Sequence, residues 1–288
     1  MKDFCFPKTR SGSLTRQRST RSLQSGNHNR MAKAGRLSSA ALSRDAMLLA
    51  LTWAAGSVDA ISYLGLGQVF TAMMTGNTVL LGLALAQREI LAALRSILAL
   101  IGFGIGVFVG AIIVERESKQ TDWPPPVTAA LVLETVILAI FSVTYYLSGT
   151  VHAAEVTYFL IVLLALAMGI QSAAVRRLRV PGIATTYLTG TITSLMVDLV
   201  GWLRWIGAPP PVKQPGARNN VEASRTIPWE QRVGLLAAVV SLYCFGALSA
   251  GILEIHSSRL AASLPLAALL LVVVNAFIRE RHQQQGSK

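Results

Sequence analysis

The sequence predicts an all-α integral membrane protein, and three observations lead to this fold class. Apolar residues make up 52% of the 288 residues and charged residues only 14%, whereas soluble domains carry about 25% charged residues. From residue 46 onward, the apolar residues form eight stretches close to the ~20 residues that a helix needs to cross the hydrocarbon core. Helices satisfy their own backbone groups in lipid at these lengths, so the membrane domain is expected to be helical throughout.

The basic charge lies mostly in the first 44 residues. The net charge is +12, and residues 1–44 hold ten Lys and Arg against one acidic residue. This segment is poor in apolar residues, so we expect a disordered basic tail at 1–44, followed by a polytopic membrane domain at 45–288. A targeting peptide and a true start at Met31 are the alternatives for the tail.

Eight apolar stretches follow the tail. The second and the sixth are interrupted by several polar and glycine residues. The third carries glycines at 102, 104, 106 and 110, and the seventh carries Ala247 and Gly251. Such small residues allow close helix packing. The stretches are 46–66, 69–86, 91–114, 127–147, 156–175, 183–203, 232–253 and 260–278.

The membrane domain contains an internal repeat. The run GSVDA at 56–60 is echoed by GIQSA at 169–173, and the Thr-Gly pair at 75–76 is echoed at 189–190. The offsets are 113 and 114 residues, so the two copies keep the same order and nearly the same spacing. The sequence therefore predicts two repeats, at 46–148 and 155–278.

The number of spans depends on whether stretches two and six cross the membrane. If all eight cross with the tail inside, 18 loop and terminal Lys and Arg residues lie inside and 6 outside. If stretches two and six enter and return, 22 lie inside and 2 outside, which fits the positive-inside rule better. We therefore predict six full spans plus two polar half-membrane segments in the inner membrane, with both termini cytoplasmic. Eight spans is the alternative.

The two interrupted stretches are the first candidates for a substrate or ion pathway. Broken apolar segments at matching positions of two halves expose backbone groups and helix ends to a ligand. The candidate residues are Thr75, Gly76 and Asn77 in the first half, and Thr189 and Gly190 in the second. Close helix packing by small residues is the alternative reading of both motifs.

Ionisable residues inside the spans give the second set of candidates. Asp59 lies in the middle of the first span, where an ionised acid costs several kcal/mol unless it is paired or faces water. Glu134 lies within the fourth stretch, and Gln171 lies beside the position that matches Asp59. We hypothesise that Asp59 pairs with Arg176 or Arg177 of the other half.

Other classes of function are disfavoured. The histidines and cysteines have no metal-ligand spacing, and no local signature of an enzyme is present, so we expect no metal, no cofactor and no catalysis. Cys244 is expected to be a small core residue. The tail has no aromatic residues among its central basic ones and no recognition helix, so nucleic acid is not an expected partner.

Two long motifs resemble a known family. The runs AGSVDAISYL at 55–64 and VFTAMMTGNT at 69–78, followed by MGIQSA at 168–173 and TTYLTG at 185–190, resemble the YoaK-like family of bacterial polytopic membrane proteins. The family's function is unknown, so the resemblance implies an inner-membrane helical protein and no substrate. Ser172 departs from the Asn that often follows Gln in that family, and the tail and the 205–230 insertion look like additions.

The expected function is a secondary permease for a small solute or ion, with Asp59 as the coupling or substrate-contacting acid. The alternative is a non-transporting membrane scaffold or sensor in which Asp59 is a buried structural partner. The expected partners are the lipid bilayer and a small molecule or ion, and a homo-oligomer is compatible with the sequence.

Overall fold

A computed structural model describes residues 44–115, 123–149, 153–178, 188–207 and 229–285. These residues form helices joined by turns and short loops, with no strand among them, which confirms the all-α prediction. The predicted disorder of the tail concerns residues outside this part of the chain. The helices are α1 Arg44–Gly65, α2 Met74–Gln87, α3 Ile90–Val114, α4 Pro125–Ser148, α5 Ala154–Arg177, α6 Leu188–Gly207, α7 Trp229–Ala261 and α8 Ser263–Gln285.

Six of these helices are long and apolar enough to cross a membrane: α1, α3, α4, α5, α7 and α8. At 14 residues, α2 is about 21 Å long, which is short of the ~30 Å hydrocarbon core. Asp198 and Arg204 lie among Thr and Gly residues in α6, and this helix is not among the six candidate spans. The prediction of six full spans is therefore confirmed by length and composition.

Contacts at the helix ends explain why α2 does not cross. Gly67, just after α1, lies against the guanidinium of Arg95, near the beginning of α3. Gly65, at the end of α1, lies against the hydroxyl of Tyr145, near the end of α4, and against Glu254 in α7. The ends of α1, α4 and α7 therefore lie on the same side as the beginning of α3. We call this side the distal face; the chain leaves it after α1 and returns to it before α3.

Two glycine-mediated helix pairs hold the core together. In α1 and α7, Gly56 lies against the backbone of Tyr243, and Gly246 lies against the backbone of Trp53. In α3 and α5, Gly106 and Gly169 approach one another in the same way. A Cβ at any of these glycines would overlap a backbone atom of the facing helix, so the missing side chain sets the interhelical distance.

The predicted packing stripe of α3 is confirmed at three of its four glycines. Gly102, Gly106 and Gly110 are buried against α5, whereas Gly104 is exposed and has no atom near its Cβ position. The outward face of α3 is apolar and exposed, as expected for a surface that contacts lipid. The large exposed side chains of α3 include Ile97, Ile101, Ile105, Phe108 and Ile112.

The expectation that Cys244 belongs to the core is wrong. Its side chain is exposed on α7. Gly246, two residues further on, is buried against α1, and two residues along a helix correspond to about 200° of rotation. Cys244 therefore lies on the opposite side of α7 from the α1 contact.

Candidate functional site

Asp59 is the centre of a hydrogen-bonded network between α1, the loop after it and α7. Its Oδ1 atom accepts hydrogen bonds from the backbone N–H groups of Thr71, Ala72 and Met73, at 2.9, 2.7 and 3.4 Å. Its Oδ2 atom accepts a hydrogen bond from the hydroxyl of Tyr243. Four donors thus compensate a carboxylate that is only 4% exposed, and the loop is fixed to α1 about six residues before that helix ends.

Asn77, in the first turn of α2, binds the same loop through both backbone groups of Phe70. Its Oδ1 atom accepts a hydrogen bond from the N–H of Phe70 at 2.9 Å, and its Nδ2 group donates to the Phe70 carbonyl. Gly76 leaves room for the Phe70 ring, which stacks on Tyr63 with ring centroids 5.1 Å apart. Thr75 is exposed at the beginning of α2. The first Thr-Gly motif therefore forms the first turn of α2 and anchors a loop that turns back along α1.

The second Thr-Gly motif begins α6. Thr189 is exposed and Gly190 is half-buried, while Thr191, which corresponds to Asn77 in the predicted repeat, is buried. The carbonyl of Thr189 accepts a hydrogen bond from the hydroxyl of Thr193 at 3.0 Å. The residues immediately before α6 lie outside the described part of the chain.

The hypothesis that Asp59 pairs with Arg176 does not agree with the structure. Arg176 is exposed at the end of α5, and the carboxylate of Asp59 is engaged by the loop amides and Tyr243. Arg177, the other suggested partner, is half-buried beside Arg176. Equal positions in two repeats do not imply contact, because each side chain is placed by the helices that pack against it.

Gln171 connects α5 to α1. It is fully buried, and its Nε2 group donates to the carbonyl of Leu51 at 3.2 Å. Leu51 lies eight residues before Asp59, about 12 Å along the helix axis at 1.5 Å per residue. Gln171 of α5 therefore contacts α1 in a different layer from the Asp59 network.

Glu134 differs from the other predicted residues in having no compensating contact in the described structure. It is fully buried in the tenth position of α4, and neither carboxylate oxygen has a hydrogen-bond partner among the described residues. Ala130, Leu131, Ile137 and Leu138, one turn away on either side, are buried as well. An ionised carboxylate without a partner in such surroundings is strongly disfavoured, so a neutral form or a bound cation is needed to remove the cost.

Sequence reasoning missed several polar groups on α7. Tyr243 bonds to Asp59, and Glu254 accepts a hydrogen bond from Tyr145. Arg232 forms an ion pair with Asp198 of α6, with Nε and Oδ2 2.6 Å apart. A signal was present in the small-residue stripe, because Tyr243 lies four residues before Ala247 and thus on the same face.

Comparison with known proteins identifies the family. The family described as "Protein of unknown function (DUF1275)" matches residues 47–276. The chain belongs to the DUF1275 family. It is also 35% identical over 240 residues to the UPF0700 transmembrane protein YoaK of Bacillus subtilis (strain 168), a match that covers 83% of this chain and 97% of that protein. No solved structure is significantly similar to the chain.

Membership of the DUF1275 family confirms the resemblance stated from the two motifs. The matched region begins within α1 and ends within α8, so it includes α2 to α7 completely and excludes the basic tail. The family comparison and the six candidate spans agree that this is a multi-pass membrane protein.

Proposed function

We propose that the protein is a secondary permease that couples the movement of a small solute to that of a proton or cation. The observation that carries this proposal is Glu134, a buried carboxyl group without a partner among the described residues in the middle of a span. Intramembrane ionisable groups are costly and usually mark proton or ion pathways. A purely structural role would call for a partner, as Asp59 has in the loop amides and Tyr243.

This assignment moves the coupling role from Asp59 to Glu134. Asp59 is a positioning residue in the proposal, because its two oxygens accept four hydrogen bonds that hold the loop after α1. The loop and α2 form a segment that enters from the distal face and returns to it. Such re-entrant segments surround the central sites of many transporters.

An inverted repeat is part of the proposal. Gly56 and Gly169 occupy corresponding positions in the two halves, and each packs on a helix of the opposite half, α7 and α3 respectively. This exchange of partners supports two halves related by a pseudo-two-fold axis in the membrane plane. With the basic loops in the cytoplasm, both termini are cytoplasmic and the distal face is extracellular.

A non-transporting scaffold or sensor is the second candidate. The specific observation that favours it is the complete bonding of Asp59, which makes the re-entrant loop a fixed structural element. In a scaffold, Glu134 would have no role that depends on a solute. The two candidates therefore differ in whether a solute gradient moves protons or cations through the protein.

The test is transport by the full chain reconstituted in liposomes that contain a pH-sensitive dye. Sugars, carboxylic acids, amines and amino acids are added outside in turn, with and without a sodium gradient, and solute uptake and internal pH are followed. We expect one class to be taken up in a protein-dependent manner, with the uptake lost in Glu134→Gln and kept in Glu155→Gln, which changes an exposed acid of α5. A folded protein that moves none of these classes would support the scaffold.

A further inference from the structure

A cavity opens on the distal face, and its lining includes no residue of either Thr-Gly motif. Its volume is about 510 Å³, within the range of small-molecule sites. It is formed where α1, α4 and α7 end, and its polar lining comes mainly from the last turns of α7. The lining residues that matter here are Gly65, Tyr145, Glu254, His256, Ser257 and Arg259.

Glu254 supplies the negative charge of the cavity. Its Oε1 atom accepts a hydrogen bond from the hydroxyl of Tyr145, which fixes the carboxylate between α7 and α4. Its Oε2 atom is buried and has no hydrogen-bond partner among the residues that the structure describes. Gly65 of α1 lies against Oε1, where an added Cβ would come within 3.0 Å of that oxygen. One acceptor atom is therefore left for a donor that the chain itself does not provide.

A break in α7 brings basic and hydroxyl groups to the same cavity. Ser257 has non-helical backbone angles, φ −160° and ψ 68°, three residues after Glu254. Such a break interrupts the i→i−4 hydrogen-bond ladder and redirects the last turn of the helix. As a result His256 and Arg259, on either side of the break, line the cavity together with Glu254.

Local contacts orient both basic side chains. The Nδ1 atom of His256 lies 2.8 Å from the carbonyl of Ile252, which leaves Nε2 as the ring nitrogen available to a ligand. The guanidinium of Arg259 lies over the ring of Tyr146, 6.0 Å from its centroid. A fixed carboxylate, an imidazole and an oriented guanidinium, at positions 254, 256 and 259 of α7, thus line the cavity together.

We propose that this cavity binds a small zwitterion with an ammonium and a carboxylate group, of which α-amino acids are the common class. The ammonium donates to Glu254, and the carboxylate accepts from Arg259. A single carboxylate and a single imidazole are fewer than the ligands of typical structural or catalytic zinc sites. The charges instead balance as one anion and one cation, which matches a ligand with both charges.

The assignment deepens the proposed function by naming its substrate class, and it rests on that function for anything beyond binding. If the protein is a permease with an extracellular distal face, the cavity is where the solute is first captured. If it is a sensor, the same cavity is its ligand site. Binding and transport are therefore measured separately.

The binding test uses the full chain in detergent and the twenty proteinogenic amino acids added one at a time. We expect at least one to raise Tm in proportion to the logarithm of its concentration once that exceeds Kd, because a ligand that binds only the folded state stabilises it. The best amino acid is then compared with its amide, which has only the positive charge, and its N-acetyl derivative, which has only the negative charge. Both derivatives should bind at least ~10-fold more weakly, which corresponds to ~1.4 kcal/mol.

The variants locate the site. Glu254→Gln and Arg259→Gln should each weaken binding at least ~10-fold, while Glu155→Gln and Arg88→Gln, which change exposed charges outside the cavity, should leave it unchanged. Arg259 is exposed, so its variant carries the test if Glu254→Gln does not fold. The proposal is overturned if no amino acid binds, if a singly charged derivative binds equally well, or if both cavity variants bind as the wild type does.

The two proposals fail in different ways. Amino-acid binding that depends on Glu254 and Arg259, without any flux in liposomes, contradicts the permease and keeps the cavity assignment. Glu134-dependent uptake of another solute class, with no amino-acid binding, keeps the permease and contradicts the cavity assignment.

Discussion

The hydroxyl of Tyr243 donates a hydrogen bond to the carboxylate of Asp59, and this contact joins the first and seventh helices beside the re-entrant loop. Gly246, one turn further along α7, packs on α1 at Trp53. The hydrogen bond and the close backbone approach therefore lie on one face of α7. Together they fix the packing of α1 against α7, although Asp59 and Tyr243 are 184 residues apart in the chain.

Asp59 and Tyr243 should be energetically coupled. Asp59→Ala leaves the buried amides of Thr71 and Ala72 without their acceptor, at ~1–3 kcal/mol per group, and Tyr243→Phe removes one bond worth ~1.5–3 kcal/mol. The double variant should lose less stability than the sum of the two by ~0.5–3 kcal/mol. Denaturation of the purified protein in detergent measures all three values.

The matched control for this cycle is Arg176, which the structure separates from Asp59. Asp59→Asn and Arg176→Gln should be additive within ~0.5 kcal/mol, as expected for residues without a shared contact. A strong interaction energy between Asp59 and Arg176, together with additive effects of Asp59 and Tyr243, would contradict the hydrogen bond between Asp59 and Tyr243.

Gly106 and Gly56 should not tolerate a side chain. In either position a Cβ overlaps a carbonyl of the facing helix, and relief requires the helices to separate. Gly106→Ala and Gly56→Ala should each lower the unfolding free energy by ~1–3 kcal/mol. Gly104→Ala is the control, because it lies on the same helix as Gly106 with open space at its Cβ. It should be neutral or stabilising by up to ~1 kcal/mol; equal losses at 104 and 106 would contradict the packing.

The buried carboxyl group of Glu134 should lower the unfolding free energy and be required for transport. Glu134→Leu removes a buried carboxyl group without a partner among the described residues, so it should raise the unfolding free energy by ~1–3 kcal/mol. The same variant should abolish solute-driven transport in liposomes. Glu155→Leu, at an exposed position, should change stability by no more than ~0.5 kcal/mol. A large loss of stability in Glu134→Leu would show that Glu134 is a structural partner.

The membrane topology can be tested with single cysteines in a background without Cys5 and Cys244. Arg176→Cys, at the end of α5, should be protected from a membrane-impermeant maleimide added to intact cells. Leu147→Cys, whose side chain is 76% exposed near the end of α4, should be labelled. Permeabilised cells should expose both positions. Labelling of position 176 from outside would contradict six spans with cytoplasmic termini.

The fold class and the number of spans followed from local features of the sequence. Hydropathy over ~20 residues reports whether a segment can cross the membrane, and the distribution of Lys and Arg between the loops favoured six spans over eight. Glycines at i, i+4 and i+8 likewise report a packing face, which holds for Gly102, Gly106 and Gly110. Gly104, two residues out of step, is exposed on the other side of the helix. The internal repeat was also visible in the sequence and stays a prediction.

The partners of the polar residues were decided by the tertiary structure. The sequence located Asp59 and Glu134 as acids inside spans, but it suggested Arg176 or Arg177 as the partner of Asp59, whereas the structure gives that role to Tyr243, 184 residues away. The cavity beside Glu254 depends on the ends of three separate helices and on a break at Ser257. Hydropathy and span length depend on residues that are neighbours in the chain, so they can be read from the sequence. Contacts between distant helices depend on how their surfaces fit, and only the packed chain determines that.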